Sequence, residues 1–433
     1  MSKKIRTLLI AEAANPEWAS VPLVGWSMAT AIARHSDAHI VTQVRNRDAF
    51  VRAGLREGAD FTAIDTESLS RPLWKLATFL RGGKGLGWTI QTAITSLSYP
   101  YFERLVWRQF GDRIRHGEFD IVHRITPLTP TARSSLAPRV RRAGVPFVLG
   151  PLNGGVPWPK GFDRDRRRER EWLSYLRGAY KWLPGYRSTI QSSALVLAGS
   201  RFTLGDLPQA YADRYEYEPE NGIDPRRFSR AGVPYDGGVL RLCFVGRLVP
   251  YKGADMVLRA SADLLRSRRA TLDIVGDGPM MPELLRLSNE LQVSGSVKFH
   301  GWVEHERVQD ILVSCHVMAF PSVREFGGGV VLESMAVGIV PVVADYAGPG
   351  ELVDAEVGYK VAMGSREEIT ERLSAVLASI MASPPAALSN RARAGIERVR
   401  DSFTWDAKAR RMIARYERLL AERDGAAQAV VSA

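Results

Sequence analysis

Short apolar runs alternate with polar, helix-forming stretches along most of this chain. The first apolar run, residues 5–11, precedes a predicted helix over 27–35 and a second apolar run over 38–44. Apolar runs of this length between turns are typical of buried strands, and their alternation with helices indicates a parallel sheet. The pattern therefore predicts an α/β protein that begins with a β-α-β unit.

The same alternation begins again in the second half, after a turn-rich stretch over residues 230–238. A predicted strand over 240–245 is followed by a helix over 255–265, and later strands end at Phe320 and Ala344. A break rich in glycine and proline between two such series marks a domain boundary. With 433 residues, the chain has the length of about two or three ordinary domains.

The composition is that of a soluble globular protein. Hydrophobic residues make up 45% of the chain and the mean hydropathy is -0.13. Cys243 and Cys315 lie in apolar runs without metal-site spacing, which predicts buried, reduced thiols. The N-terminus reads as a first strand rather than a signal peptide, because its apolar stretch is short. These features predict a protein of the reducing cytoplasm.

Positive charge is concentrated in the first half of the chain. Residues 1–220 contain 32 Lys and Arg against 21 Asp and Glu, a balance of +11, whereas residues 221–433 contain 27 against 26. A basic half beside a neutral half indicates that one half faces an anionic partner. The sequence has no zinc-finger, RNP or basic-helix pattern, so we expect an anionic lipid surface or a phosphorylated acceptor and no nucleic acid. An ordinary solvated basic surface is the alternative.

Two segments of the first half raise the question of membrane contact. Residues 72–110 form a long apolar tract, but scattered Thr, Gln and Ser and the pair Tyr99-Pro100 argue against a membrane-spanning helix. We expect helices packed on the first domain, with an exposed edge against a bilayer as the alternative. Residues 163–183 predict an amphipathic helix with a basic start, which fits a membrane-surface anchor and a solvent-exposed helix equally well.

The stretch over residues 320–344 carries the strongest chemical signal. A buried strand ends at Pro321, three glycines follow, and a helix is predicted from about Gly328. Glycines allow the backbone to approach a ligand closely, and the free N–H groups and dipole of a helix start favour an anion. Glu325 lies before this helix and Glu333 lies within it. The arrangement predicts a phosphate cradle flanked by two hydroxyl-binding carboxylates.

Other polar loops follow predicted strands. Arg247 and Lys252 place two cations on the glycine-containing loop after the strand over 240–245, an arrangement suited to a diphosphate; an exposed salt-bridging pair is the alternative. His123 is predicted at the end of a strand, where open parallel sheets bind ligands, although a lone histidine is more often structural. Residues 153–155, Asn-Gly-Gly, form a tight loop after the next strand.

Taken together, these motifs resemble the family-4 retaining glycosyltransferases, which share the two-domain GT-B fold. Glu325 and Glu333 stand in the pattern E-F-G-G-G-V-V-L-E-S-M-A, which is similar to the E-x7-E signature of that family. The pattern G-R-L-x-x-x-K-G over 246–253 is similar to its phosphate-clamping loop. The turn N-G-I-D over 221–224 is similar to the passage into its second domain. One difference is that Phe326 precedes Gly327, whereas many members place the glycine first.

The resemblance implies a fold and a domain organisation. We expect two Rossmann-like domains facing each other across a cleft, with a C-terminal helix that crosses back to the first domain. The expected divisions are an acceptor-binding domain over 1–222, a nucleotide-sugar-binding domain over 223–403, and a returning helix with a flexible tail over 404–433. The specific motifs lie in the second domain, and the first domain matches only through generic features.

The resemblance also implies an activity, the retaining transfer of a sugar from a nucleoside-diphosphate sugar to a hydroxyl acceptor. A lipid-linked saccharide of surface polysaccharide biosynthesis is a candidate acceptor. The predicted catalytic residues are Arg247, Lys252, Glu325 and His123. The predicted donor-binding residues are Gly246, Gly301, Phe326, Gly327, Gly328, Gly329, Val330 and Glu333. The predicted acceptor-side residues are Gly25, Asn153, Gly154 and Gly155.

No cofactor is expected, and no metal, because the sequence has no D-x-D motif in a suitable place. The absence of G-x-G-x-x-G after the first strand argues against an NAD-dependent enzyme. The expected partners are the nucleotide-sugar donor, a glycan or lipid-linked acceptor, and an anionic membrane surface at the inner face of the cell membrane. Two alternatives stay open: a nucleotide-sugar epimerase or phosphorylase on the same scaffold, and a non-catalytic membrane-surface protein that kept a nucleotide pocket.

Overall fold

The computed structural model describes residues 4–66, 88–163, 181 and 185–431 of the chain. Most of the amphipathic helix predicted over 163–183 lies outside the described residues. The same is true of the first part of the apolar tract predicted over 72–110.

The described residues form thirteen strands, which are numbered in chain order. They are β1 Arg6–Ala11, β2 Asp37–Gln43, β3 Phe61–Ile64, β4 Ile121–Thr126, β5 Phe147–Leu152, β6 Leu195–Ala198, β7 Tyr215–Tyr217, β8 Leu240–Val245, β9 Ala270–Val275, β10 Val297–Gly301, β11 Val317–Phe320, β12 Val340–Ala344 and β13 Tyr359–Val361.

The α-helices of the described residues are numbered in the same way. They are α1 Val21–His35, α2 Arg47–Arg52, α3 Trp88–Arg115, α4 Ala137–Arg142, α5 Tyr186–Ser192, α6 Arg201–Asp206, α7 Ala254–Arg266, α8 Met281–Glu290, α9 His305–Leu312, α10 Gly329–Ala336, α11 Ala347–Leu352, α12 Arg366–Ala382, α13 Pro385–Arg398 and α14 Trp405–Val431.

These elements divide into two compact units, each built on its own sheet. The first unit draws on residues of 1–155, 171–220 and 405–433, and the second on residues of 156–170 and 221–404. Both sheets are parallel throughout, with seven strands in the first unit and six in the second. In each unit, helices connect successive strands of a parallel sheet, which confirms the predicted pair of Rossmann-like domains.

The first unit has the strand order β3-β2-β1-β4-β5-β6-β7. Its central strands β1 and β4 are buried along almost their whole length, as expected for strands that helices cover on both faces. The last helix, α14, packs against α1 in this unit. Met412, Tyr416 and Leu419 of α14 share a buried cluster with Met28 and Ile32 of α1. The C-terminal helix thus returns to the unit that begins the chain.

The second unit has the strand order β10-β9-β8-β11-β12-β13. Every residue of β11 and β12 is buried, which explains why these strands are continuous apolar runs in the sequence. Cys243 on β8 and Cys315 before β11 are free and buried, as predicted. The order of the strands changes direction between β8 and β11.

Some element boundaries differ from the prediction. Helix α1 begins at Val21 rather than at residue 27, because Pro22 fits a first helical turn, where its missing N–H donor loses no partner. Gly25 therefore lies inside α1, and its predicted place in a loop is wrong. Helix α13 likewise begins at Pro385, whereas the sequence predicts a break at Pro384-Pro385 and a helical run from Asn390. Helix α14 extends to Val431, where a flexible tail was predicted from Asp424, because the alanines of this segment favour helix.

The described part of the apolar tract is one long helix, α3, with Pro100 inside it. Tyr99, Phe102, Val106 and Phe110 on this helix are all buried in the first unit. The prediction that this tract packs on the first domain is confirmed for these residues. Within the described ranges, no helix combines the length and the apolar character that a membrane span requires.

Candidate active site

The candidate site lies at the carboxyl edge of the six-stranded sheet. The loop over 246–253 follows β8, the loop over 321–328 follows β11, and Gly301 ends β10. Strands β8 and β11 are neighbours at the point where the strand order reverses, and open α/β sheets bind ligands at that point. The predicted donor residues are therefore gathered at one edge of one sheet.

Lys252 and Glu325 meet between the two central loops. The Lys252 ammonium donates a hydrogen bond to Glu325 Oε2, and its Nζ atom lies 5.1 Å from the centre of the Phe320 ring. Only 16% of the Lys252 side chain and 22% of the Glu325 side chain are exposed. Burial lowers the pKa of Lys252 to about 8, while the adjacent carboxylate favours the charged form. A cation at such a partly desolvated site interacts strongly with a bound anion, because little water screens the two charges.

Arg247 lies on the same loop as Lys252, and its side chain is exposed. The loop is fixed to the one after β9 by backbone hydrogen bonds. Leu248 N–H donates to the Asp277 carbonyl at 2.9 Å, and the Leu248 carbonyl accepts from Met280 N–H at 3.1 Å. Arg247, the second cation, thus lies on a well-anchored backbone at the carboxyl edge of the sheet.

Helix α10 begins immediately after the Glu325 loop. Its cap residue, Gly328, has a left-handed backbone with φ 58°, which glycine adopts without steric cost, and the first turn of α10 has no acidic side chain. The first N–H groups of a helix have no partner inside it, so those at the start of α10 and the helix dipole favour an anion. Asn221 lies beside Gly329: its Nδ2 atom would be 3.5 Å from a Cβ placed there.

Helix α11 packs tightly against this cradle. A Cβ at Gly348 would overlap the Phe326 carbonyl oxygen and lie 2.7 Å from the carbonyl carbon. The preceding residue, Ala347, has a left-handed backbone with φ 52°. The segment 347–351 resembles a G-G-x-x-E turn in which alanine replaces one glycine, and it makes up almost all of the short helix α11 rather than a simple turn.

Glu333 is held by a histidine. It accepts a hydrogen bond from His305 Nε2 at 2.7 Å, and this bond raises the pKa of His305. The His305 ring also lies edge-to-face with Phe228, with 5.5 Å between ring centres. His305 was not predictable from the sequence, because no motif joins it to Glu333. Asn221, in turn, was predicted only as part of a domain boundary.

The structure contradicts the predicted position of His123. This residue lies inside β4 rather than at its end, and it is fully buried. Its Nε2 atom lies 2.7 Å from the Gly150 carbonyl and its Nδ1 atom 2.6 Å from the Tyr416 hydroxyl. Because a carbonyl only accepts, Nε2 carries the proton and Nδ1 accepts from Tyr416. Burial lowers the pKa of His123 to about 4, so the neutral ring serves as a structural connection between β4 and α14.

The loop over 153–155 follows β5, as predicted, and is held by hydrogen bonds. Asn153 donates from Nδ2 to Glu220 Oε2 at 2.9 Å and accepts at Oδ1 from Gly155 N–H at 2.8 Å. Gly154 N–H donates to Thr203 Oγ1 at 3.0 Å. Burial raises the pKa of Glu220 to about 7. Participation of this loop in acceptor binding stays a prediction.

The second unit matches a known protein family. Residues 226–394 match the family model described as "Glycosyl transferases group 1". This segment of the second unit is similar to group 1 glycosyl transferases. It contains Arg247, Lys252, Glu325 and Glu333, so the motifs over 246–253 and 325–336 lie inside the matched region, whereas the turn over 221–224 precedes it. The match agrees with the family that the sequence resembles.

Curated relatives agree with this assignment. The D-inositol 3-phosphate glycosyltransferase of Rhodococcus erythropolis is 30% identical over 231 residues, which are 51% of this chain and 50% of the relative. The GDP-mannose-dependent monoacylated alpha-(1-6)-phosphatidylinositol monomannoside mannosyltransferase of Corynebacterium glutamicum is 27% identical over 54% of this chain and 65% of the relative. This chain therefore spans about half the length of the first relative and less than two thirds of the second. The names of both relatives are those of glycosyltransferases.

A solved structure supports the fold over the whole chain. The crystal structure of Anabaena HepE in complex with UDP and glucose aligns with 95% of this chain and 99% of its own, with a TM-score of 0.56 and 16% identity. At this identity the similarity shows the fold alone, which is the GT-B fold predicted from the sequence.

Proposed function

We propose that this protein transfers a sugar from a nucleoside-diphosphate sugar to a hydroxyl acceptor with retention of configuration. The observation that carries the proposal is the Lys252–Glu325 pair beside the start of α10. It brings together a buried cation, a carboxylate and a free helix start, which are the groups that a diphosphate and a sugar hydroxyl require. The matched family supports the same class of reaction.

Departure of the nucleoside diphosphate is the step that these residues assist in the proposal. The bond between the anomeric carbon and the diphosphate oxygen breaks, and negative charge grows on that oxygen. Lys252 and Arg247 neutralise this charge, and the N–H groups at the start of α10 assist. Lys252 contributes most, because its charge is largely buried and water screens it less.

Two carboxylates orient the donor in the proposal. Glu333 accepts hydrogen bonds from the ribose hydroxyls, and Glu325 accepts them from the hydroxyls of the transferred sugar. Donor binding then exchanges the Lys252–Glu325 contact for a contact between Lys252 and phosphate and another between Glu325 and a hydroxyl. Neither side chain is left buried without a partner, which would be costly.

Retention follows from attack on the face that the diphosphate leaves. The acceptor oxygen forms the new bond to the anomeric carbon, and its proton passes to the departing phosphate oxygen. This route uses no protein nucleophile. Because side-chain cations and a helix start neutralise the diphosphate, we propose that the reaction needs neither a metal ion nor another cofactor.

We further propose a phosphorylated or lipid-linked saccharide of surface polysaccharide biosynthesis as the acceptor, bound by the first domain. The balance of +11 in residues 1–220 supports an anionic acceptor. The names of the two curated relatives, which contain inositol 3-phosphate and phosphatidylinositol, support it as well. Such an acceptor agrees with a location at the cytoplasmic face of the cell membrane.

A donor screen tests the proposal. The protein is incubated with UDP-, GDP- and ADP-sugars and a membrane extract, and the products are analysed by mass spectrometry. We expect one donor to be consumed while an extract component gains the mass of one sugar. Inversion at the anomeric carbon in the product, measured by NMR, would contradict retention, and loss of transfer in EDTA would contradict metal independence.

The same screen separates the alternatives. An epimerase converts the nucleotide-sugar without any extract, and a phosphorylase needs inorganic phosphate in place of a hydroxyl acceptor. If no UDP-, GDP- or ADP-sugar raises the melting temperature of the protein, a non-catalytic role becomes the better explanation.

A further inference from the structure

A segment from the first half of the chain is built into the second unit. Residues 156–163, called the strap here, follow the loop over 153–155 in sequence but belong to the same compact unit as residues 221–404. Phe162 in the strap is only 2% exposed and lies in the core of the second unit. The Pro157 carbonyl accepts a hydrogen bond from the Tyr346 hydroxyl at 2.9 Å. The strap is therefore attached near both of its ends.

Between these attachments, Trp158 lies against two residues of the candidate site loops. Its ring meets the Tyr251 ring edge-to-face, with 5.8 Å between ring centres. On another side, the Arg324 guanidinium carbon lies 4.9 Å from the centre of the Trp158 ring. Aromatic pairs and cation–π contacts of this kind each contribute stabilisation in a defined geometry.

The two residues that Trp158 contacts directly precede the proposed catalytic pair. Tyr251 precedes Lys252 on the loop after β8, and Arg324 precedes Glu325 on the loop after β11. The two loops are also joined through their backbones, because the Tyr251 carbonyl accepts from Val323 N–H at 2.9 Å. Trp158 therefore covers the junction from which Lys252 and Glu325 project toward each other.

The far end of the strap contacts the same loop through Arg366. The guanidinium carbon of Arg366 lies 6.0 Å from the centre of the Phe162 ring. Arg366 donates to both carboxylate oxygens of Asp255 at 2.9 Å and to the Pro250 carbonyl at 2.8 Å. Pro250 begins the single helical turn that ends at Lys252. Trp158 through Tyr251, and Phe162 through Arg366, thus both support the backbone that carries Lys252.

We infer that Trp158 is a positioning residue that holds Lys252 and Glu325 in the geometry required for reaction. The inference rests on the proposed function, because it gives these two side chains their roles. Trp158 acts through Tyr251 and Arg324 and is not itself assigned a contact with substrate. Without its indole, the loops after β8 and β11 lose a shared contact surface. A displacement of about 1 Å at a reacting centre lowers a rate by about 10²-fold.

The test compares Trp158→Leu, Trp158→Phe and the control Tyr359→Leu. Tyr359 also carries a stacked arginine, Arg391, whose guanidinium carbon lies 4.6 Å from the ring centre, but it lies on β13 away from Lys252. The first readout is the pKa of the Lys252 amine, measured from its rate of acetylation across pH by peptide mass spectrometry. The second is kcat and KM for the donor that the screen identifies.

We expect W158L to raise the pKa of Lys252 from about 8 toward its ordinary value of 10.5, because water then reaches the amine. We expect kcat to fall by about 10²-fold with a much smaller change in KM. Trp158→Phe keeps an aromatic face and should remain close to the parent protein, as should Y359L. If W158L does not fold, Arg324→Gln carries the test, because it removes one side of the contact and should shift the pKa in the same direction.

A folded W158L protein with the parent Lys252 titration and the parent kcat would overturn the inference. The titration of the Lys252 amine needs no substrate, so it tests the positioning role of Trp158 even if no donor is found. A parent protein that binds none of UDP, GDP and ADP would instead defeat the proposed function. The two failures are therefore distinguishable.

Discussion

At the scale of single residues, Lys252 combines two opposing influences on one ammonium group. Burial favours the neutral amine and lowers the pKa to about 8, whereas Glu325 favours the charged form. The ammonium is present below about pH 8 and is lost as the pH rises through that value. Affinity for a diphosphate is expected to fall over the same range.

Replacing Lys252 by alanine tests this residue directly. Because the main buried cation of the proposed site is removed, we expect turnover to fall by about 10²- to 10³-fold, the effect of losing one strong donor to a developing anion. The melting temperature should fall as well, because the largely buried Glu325 carboxylate loses this partner, so circular dichroism must show that the variant is folded. Lys298→Ala, at an exposed lysine of β10, is the control. Near-normal transfer by a folded K252A protein would count against the mechanism.

His305 predicts a second dependence on pH. The hydrogen bond to Glu333 raises the pKa of His305, and Arg227 and Glu306 are the other charged groups near it. The charged pair is complete below the ordinary histidine pKa of 6.5 and is lost as the pH rises through the raised value. As the pair is lost, Glu333 becomes available to a ribose hydroxyl, so UDP affinity should rise.

Titration calorimetry with UDP across this range, on the parent protein and on His305→Gln, isolates the effect. The variant removes the titrating ring but leaves the phosphate ionisation of UDP and the titration of Lys252 in place. We expect the rise in affinity to be absent or much weaker in H305Q. The same pH dependence in both proteins would show that His305 does not control Glu333.

The sequence predicts a residue's position well when neighbouring residues determine it, and poorly when a distant part of the chain does. Glycines after buried strands locate loops at a sheet edge, so the positions of Lys252 and Glu325 near the same edge were predictable. His123 was misplaced because the end of a strand is not marked sharply in an apolar run. Its partner Tyr416 lies 293 residues away, and no local pattern announces that contact.

At the scale of elements, the place where α10 and α11 pack together has two adjacent positions that both favour glycine, for different reasons. Ala347 has φ 52°, a conformation that costs an ordinary residue about 1–2 kcal/mol. At Gly348 a Cβ would meet the Phe326 backbone, so the helix and the cradle can approach only without a side chain. The glycine-rich character of this turn thus has two separate physical causes.

Two substitutions at this junction should change stability in opposite directions. Ala347→Gly relieves the left-handed strain and should stabilise by up to about 1 kcal/mol, after the entropic cost of glycine. Gly348→Ala should destabilise by about 1–3 kcal/mol through overpacking and weaken UDP binding. Gly295→Ala is the control, because its Cβ meets nothing within 4 Å. Denaturant unfolding measures all three, and an unaffected G348A protein would contradict the tight junction.

Element types were more predictable than element starts. The apolar runs that became β8 and β12 were placed correctly, since strands covered on both faces have no alternation to misread. The starts of α1 and α13 were placed too late, because Pro22 and Pro385 are compatible both with a loop and with a first helical turn.

At the scale of the whole molecule, some of the basic residues that make the first half positive lie close together in the first unit. Helix α4 carries three arginines in six residues, and the Trp107 ring lies between Arg115 and Arg139, at 5.3 and 5.6 Å from their guanidinium carbons. Trp107 is partly buried against the core of the first unit, and the guanidinium groups beside it suit a surface with anionic headgroups. This cluster is one described part of the basic half.

Liposome flotation tests the membrane proposal. We expect binding to vesicles containing phosphatidylserine, little binding to pure phosphatidylcholine, and loss of binding between about 0.1 M and about 1 M salt, where the Debye length falls from about 10 to about 3 Å. Arg141→Glu combined with Arg142→Glu should weaken the binding. Equal flotation with both lipids would remove the support that charge gives to a membrane acceptor.

The place of α14 in the first unit has a consequence for synthesis on the ribosome. Residues 221–404 emerge as one uninterrupted stretch and can complete most of the second unit while translation continues. The first unit, although its strands are made first, waits for Met412, Tyr416 and Leu419 to cover α1 and to satisfy His123. The first unit is thus finished only after residues 221–404 have been made, and its apolar α1 face stays uncovered until α14 has been synthesised.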